Sequence, residues 1–168
     1  MKVLTSRSTR TPTGGTSRIG SRRLPWFVRR VLTPPNTVGA EKLTSVFGDW
    51  PRFHDAEIIA AQLIRDRDQP KSPRLELMLR WWLKAYTWNG HSYPESDSQI
   101  TLRFHNVDQV ELSEFNHQNV VDSLTISSPD DNPDWLAVDL NSSFGLLGSF
   151  RCRSLEVVEV IPFEPARA

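Results

Sequence analysis

The seven residues QITLRFH, Gln99 to His105, alternate without a fault. Ile100, Leu102 and Phe104 fall on one side of an extended chain, and Gln99, Thr101, Arg103 and His105 fall on the other. Successive side chains of a strand point to opposite faces, so this pattern buries one face and wets the other as a β-strand. The longer run RLELMLRWWLKAY, Arg74 to Tyr86, keeps the same period. Leu75, Leu77, Leu79, Trp81, Leu83 and Ala85 share a face, and four of the seven opposing positions are charged. Leu75, Leu79, Trp82 and Tyr86 would also line a helical stripe, but the strict alternation favours a strand, bent or bulged because of its length.

The rest of the chain is organised around those two runs. Val110 and Leu112 carry the alternation past Asn106, which predicts a tight hairpin near 106–108. Ala56 to Ile64 is apolar on both faces and reads as a central strand or a short buried helix. Val120 to Leu124 is compatible with one helical turn ahead of a strand ending at Ile126. Trp135 to Leu140 reads as a strand between the turn-rich SSPDDNP and NSS segments. Leu146–Cys152 and Leu155–Ile161 read as a strand pair joined by a turn near Arg153–Ser154. No repeat at a fixed period is present. The expected fold class is α+β, predominantly antiparallel β: one domain of six to eight short strands with little helix.

A net charge of zero conceals a split. Ahead of Glu41 there is no acid, and there are eight Lys or Arg; from there on, 12 basic side chains stand against 20 acidic ones, leaving −8. Residues 1–40 are rich in Ser, Thr, Arg, Gly and Pro, a composition that buries too little apolar surface to offset the entropy of ordering, so this lead reads as disordered. It reads as a basic nucleic-acid-binding arm, as an organelle transit peptide, or as translated upstream sequence with a start at Val31, Val38 or Val46. The last reading is preferred. The globular part reads as residues 46–163. No apolar run reaches the roughly 18 residues that span a bilayer.

The residues capable of chemistry do not converge. His54-Asp55 evokes the metal-dependent phosphohydrolases, but those need an upstream His on a helical scaffold, and no His precedes His54. His91, His105 and His117 are scattered, at spacings unlike those of a zinc site, although His105 and His117 could meet across a hairpin. Cys152 is the only cysteine; on a strand it shares a face with Gly148 and Phe150 and reads as a small core residue. No Gly-rich phosphate loop or GxSxG elbow is present. The acidic part repels phosphate, so nucleic acid is left only to the basic lead, through charge and without sequence preference. No metal or cofactor is expected. Trp81, Trp82, Tyr86 and Trp88 are dense for one segment and read either as core or as a partner-binding surface.

Four motifs occur in order: FGDWPRFHDAEI at 47–58, ITLRFHNVDQVEL at 100–112, FNHQNVVDSLTI at 115–126 and GLLGSFRCRSLEVVEVIP at 145–162. Together they resemble the immunity protein 50 family of bacterial polymorphic toxin systems over about 46–163. The sharpest blocks are Trp50, Pro51, Phe53, His54, Asp55, Ala56 and Glu57, and then Phe115, Asn116, Gln118 and Asn119. The resemblance implies a cytoplasmic antidote encoded beside a secreted toxin, which binds the toxin domain and is not itself an enzyme. The toxin differs between systems; nucleases with basic clefts are one class, and an acidic inhibitor can occupy such a cleft. Asp97, Asp108, Glu111, Asp130, Asp131 and Asp134 are then candidate contacts beside Trp81 and Trp82, unless these carboxylates are only turns and a solvated face. The basic lead lies outside the resemblance.

The first block reads as the opening corner of the fold. Pro51 disfavours helix at Trp50. Trp50 and Phe53 anchor a turn in the core, and Asp55 accepts backbone N–H groups or orients His54. On this reading His54 and Asp55 are largely buried, hydrogen-bonded, and without a third titratable partner.

Overall fold

The computed structural model describes residues 32–65, 72–86 and 92–163. The elements in chain order are β1 (Thr37–Val38), α1 (Ala40–Phe47), β2 (Glu57–Ile64), β3 (Arg74–Tyr86), β4 (Ser92–His105), β5 (Asp108–Ser113), β6 (Val120–Ser127), β7 (Leu136–Phe144), β8 (Leu147–Cys152) and β9 (Ser154–Pro162). The strands form one sheet in the order β1-β9-β4-β3-β2-β6-β7-β8-β5. All pairings are antiparallel except β1 with β9. The predominantly antiparallel β expectation holds, with nine strands rather than six to eight and one short helix.

The two alternating runs are neighbours. β3 and β4 pair along their whole length with Leu75 opposite Phe104, Leu77 opposite Leu102 and Leu79 opposite Ile100, and all six side chains are at most 1% exposed. The register slips between Leu83 and Lys84, where the extra residue lies in β4 between Pro94 and Ser96 rather than in the 74–86 run. β2 lies on the other side of β3, so the doubly apolar Ala56–Ile64 run is a strand rather than a helix.

The sheet divides into two halves, β1-β9-β4-β3-β2 and β6-β7-β8-β5, joined in register at a single residue pair, Glu57 with Val120. The halves face each other across one core. Phe104 of β4 meets Phe150 of β8 edge to face at 4.9 Å. The chain crosses between the halves at two corners, from β4 to β5 and from β8 to β9. The Arg153 N–H donates to the His105 carbonyl at 2.9 Å and ties these corners together.

This crossing overturns both expected hairpins. β5 pairs with β8, not with β4, because β3 and β9 already occupy both edges of β4. Asn106 takes a left-handed backbone (φ 53), Val107 is buried, and its N–H donates to the Pro73 carbonyl, so the chain leaves the strand plane. Likewise β8 lies between β7 and β5, and β9 pairs with β4. Residues 120–124, compatible with a helical turn in sequence, are strand instead: β6 is extended from Val120, and register slips between Val120 and Ser123 break its alternation.

The folded part reaches further back than the composition implies. Residues 32–40 were expected to be disordered, yet they contain β1, buried Pro34 and the start of α1. Leu43 of α1 is fully buried in the core, and Lys42 Nζ donates to the carbonyls of Val157 and Val158 at 3.0 and 2.8 Å. Leu43 and Phe47, just after the lead, give this short helix an apolar side that packs on the core. Residues 1–31 lie outside the described residues.

Because Phe104 joins the two halves, Phe104→Ala should cost about 3–5 kcal/mol of stability. The exposed Ile59→Ala should cost less than about 0.5 kcal/mol. Denaturant midpoints of the two variants would check the contrast.

Candidate functional site

The His-Asp corner is a four-residue turn. The Ala56 N–H donates to the Phe53 carbonyl at 3.0 Å, with Phe53 (φ 56) and Asp55 (φ 64) both left-handed. Its outer members, Phe53 and Ala56, are buried, as are Trp50 and Pro51. Phe53 meets Trp50 and Trp81 edge to face at 6.0 and 6.1 Å, and Phe47 meets Trp81 at 4.8 Å. The Trp81 indole N–H donates to the His54 carbonyl at 3.0 Å. Backbone bonds from Asp55 to Val121, from Val121 to Ala56 and from Ile58 to Asn119 dock the corner onto β6.

The side chains of His54 and Asp55 are not buried as expected. They are 61% and 42% exposed, since the central residues of a turn project outward while its flanks hold the core. A third titratable group is also present. His54 Nδ1 lies 2.9 Å from the Asp122 carbonyl oxygen and 3.7 Å from its carboxylate, while Nε2 lies 3.6 Å from Asp55. The ring borders an open depression of about 470 Å³ with Trp50, Arg52, Leu124 and Ile126. A proton on Nδ1 can donate to the Asp122 carbonyl, leaving Nε2 turned toward Asp55. Glu57 is partly buried opposite Arg80.

The second block forms a polar clasp. Asn119 is 3% exposed; its Oδ1 accepts from the N–H groups of Asn116 and Leu146, both at 3.0 Å, and its Nδ2 donates to the Asn116 carbonyl at 2.9 Å. Asn116 Oδ1 accepts from the Gln118 N–H, and its Nδ2 donates to the Glu114 carbonyl. Gly145 (φ 83) lies so close that a Cβ there would sit 2.3 Å from the Gln118 carbonyl. Phe115 and Gln118 face outward.

Several of the sequence's contact candidates are engaged within the fold. Trp81 belongs to the aromatic cluster just described. On the outer face Arg80 stacks on Phe163 at 3.9 Å, approaches Trp82 at 5.7 Å, and binds Asp97 through Nε and a terminal nitrogen. That hydrogen bond with Asp97 raises the Arg80 pKa against desolvation. Asp108 accepts from the Gln109 N–H, and Asp134 lies 3.5 Å from Arg153, which stacks on Trp135. Glu111, Asp130 and Asp131 are exposed. The fold also adds a residue the sequence reading passed over. Glu111 and Asp139 both lie opposite Ser149, so two exposed carboxylates share one row across β5, β8 and β7. The alternation of β7 carried the only available signal.

His105 and His117, which a hairpin could have brought together, have separate partners. His105 Nε2 lies 2.9 Å from Glu156, and His117 rests on the Phe144 ring. Glu156 completes a ladder in which Arg103 bridges it to Glu76. The His105 hydrogen bond, and then Arg103, hold the Glu156 carboxyl below the usual carboxylate range against opposing desolvation. Cys152 is fully buried, and burial pushes its thiol up to about 12. Among the described residues no group of three or more His, Cys, Asp and Glu is placed to hold a metal ion, and no helix is long and apolar enough to cross a membrane.

The family model described as Immunity protein 50 matches residues 39–163. No curated protein and no solved structure matches the chain.

Two substitutions test the internal polar contacts. Asn119→Ala should cost about 1–3 kcal/mol for each buried N–H left without an acceptor, read from its denaturant midpoint. Glu156 has a depressed folded-state pKa, so its contribution is present above the unfolded pKa and lost as pH falls through the folded one. Glu156→Gln should therefore be less stable than the parent at pH 7. The gap should close below about pH 4 in melts taken across that range.

Proposed function

We propose that this chain, which belongs to the immunity protein 50 family, binds a cognate secreted toxin encoded nearby and neutralises it in the cytoplasm by non-catalytic inhibition. The extent of the family match carries the reading: residues 39–163 take in α1 and all of β2 to β9, the whole core rather than one motif. The architecture suits the task. An inhibitor that works by occlusion needs a fixed scaffold with a complementary surface, and the sheet supplies the scaffold. The excess of acidic side chains after residue 40 favours a basic toxin, a nuclease among them, by steering its approach and occupying a phosphate-binding cleft. Asp108, Glu111, Asp130 and Asp131 are surface candidates for such contacts.

A second reading makes His54 a catalytic base, and its one support is the placing of Asp55 and Asp122 at 3.6 and 3.7 Å from the ring. Co-expression with the toxin encoded beside its gene separates the two. Growth should be rescued by the parent chain and equally by His54→Ala and Asp55→Ala. Rescue lost in both variants at unchanged melting temperature would favour an enzyme, and no rescue by the parent would sink the immunity reading.

A further inference from the structure

Two strand edges face an apolar groove. β5 is the last strand of the sheet and pairs only with β8 among the described residues. β2 pairs with β6 only at Glu57, so its edge from Ala60 to Ile64 also lacks a described partner on that side. Between them lies a groove of about 470 Å³ lined by Leu63, Leu75, Val110, Leu112, Phe115 and Leu146. Leu63 is 62% exposed and Phe115 53%. Proteins ordinarily blunt a free edge with Lys, Pro, a bulge or a cover. The bulge between Asp108 and Glu111 blunts the start of β5, and within residues 110–113, Val-Glu-Leu-Ser, the charge of Glu111 is the one further device, which an added strand carrying an opposite charge would satisfy.

Resting on the function proposed above, we infer that this groove is the toxin-docking site and that it takes an extended toxin segment, apolar at alternate positions and basic between them, as a strand added to β5. The chemistry of the occupant follows from the two faces of β5. A strand beside β5 turns every second side chain inward, where Val110 and Leu112 leave a floor continuous with Leu75 and closed on the far side by Leu63. Its other side chains stand on the outer face, beside the row in which Glu111 and Asp139 flank Ser149. Asp108 lies opposite Arg151, which offsets its charge, whereas the Glu111–Asp139 row has no cation at its centre. A Lys or Arg of the added strand beside Glu111 forms an opposite-charge cross-strand pair. Exposed Glu114, next to Phe115, extends the acidic rim. Main-chain hydrogen bonds then supply affinity, and the Leu63 and Phe115 contacts with the outer carboxylates supply selectivity.

The test uses the full chain and the toxin domain encoded beside its gene. Amide hydrogen exchange of residues 110–113 should slow on adding the toxin. Leu63→Arg, Phe115→Ala and Glu111→Lys should each weaken toxin binding by about tenfold or more at unchanged melting temperature. Glu41→Lys, exposed on α1 where that helix packs against β9, should change it less than about threefold. Toxin binding unaffected by all three groove variants overturns the docking site and leaves the immunity reading standing. The same holds if those amides of residues 110–113 that face away from β8 are already slow to exchange before the toxin is added, which would give the groove to the chain's own lead or a second copy. No toxin binding by the parent chain overturns both.

Discussion

Both edges of β4 are occupied, by β3 along its whole length and by β9 from Ser98 to His105, and the rest of the architecture follows from that. A strand with no free edge cannot form a hairpin with the segment that follows it. The chain therefore leaves β4 at Asn106, buries Val107 and starts a second half of the sheet with β5. It returns through Arg153, whose N–H reaches back to His105. The two halves thereby meet over the apolar sides of Ile100, Leu102 and Phe104, with Phe150 opposite. A two-sided core of this kind buries the alternating leucines, and with one cysteine in the chain it does so without an internal disulfide.

The polar motifs secure the places where this arrangement is weakest. The halves share one register pair, Glu57 with Val120, and that junction lies between two reinforced corners. On one side the Phe53–Ala56 turn is held by two aromatic contacts of Phe53 and docks onto Val121. On the other, Asn119 satisfies the N–H groups of Asn116 and Leu146 and brings Gly145 against the same loop. A buried amide with one oxygen serving two donors replaces a longer stretch of strand pairing there.

Much of this was legible in the chain, and the losses have specific causes. Residues 74–86 and 99–105 read as strands because each buries one face, and both are strands, with Leu75, Leu77, Leu79, Ile100, Leu102 and Phe104 inside as expected. Cys152, beside Phe150, read as core and is core. His54 and Asp55 were placed correctly in a turn but on its wrong side. Burial of a turn belongs to its flanks, and the letters HD between Phe53 and Ala56 do not say which way a left-handed Asp55 turns its neighbour. Asp97 looked like a free carboxylate because its partner Arg80 is seventeen residues away across a register that spacing alone does not fix. The apolar groove was not foreseen, since Leu63, Val110 and Phe115 belong to three segments with no common periodicity.

By itself the sequence determined that residues 74–86 and 99–105 are extended, which side of each is apolar, and that the fold is predominantly antiparallel β. Those are local properties, set by a period of two and by the position of Pro, Gly and Asn. Only the tertiary structure decided which strand lies beside which, where the sheet folds over, and which edges remain open. An edge is defined by the strands that do not pair with it, and that depends on every other pairing in the sheet. The edge of β5 that has no partner among the described residues, and the groove beside it, thus exist only once β3 and β9 have closed both sides of β4.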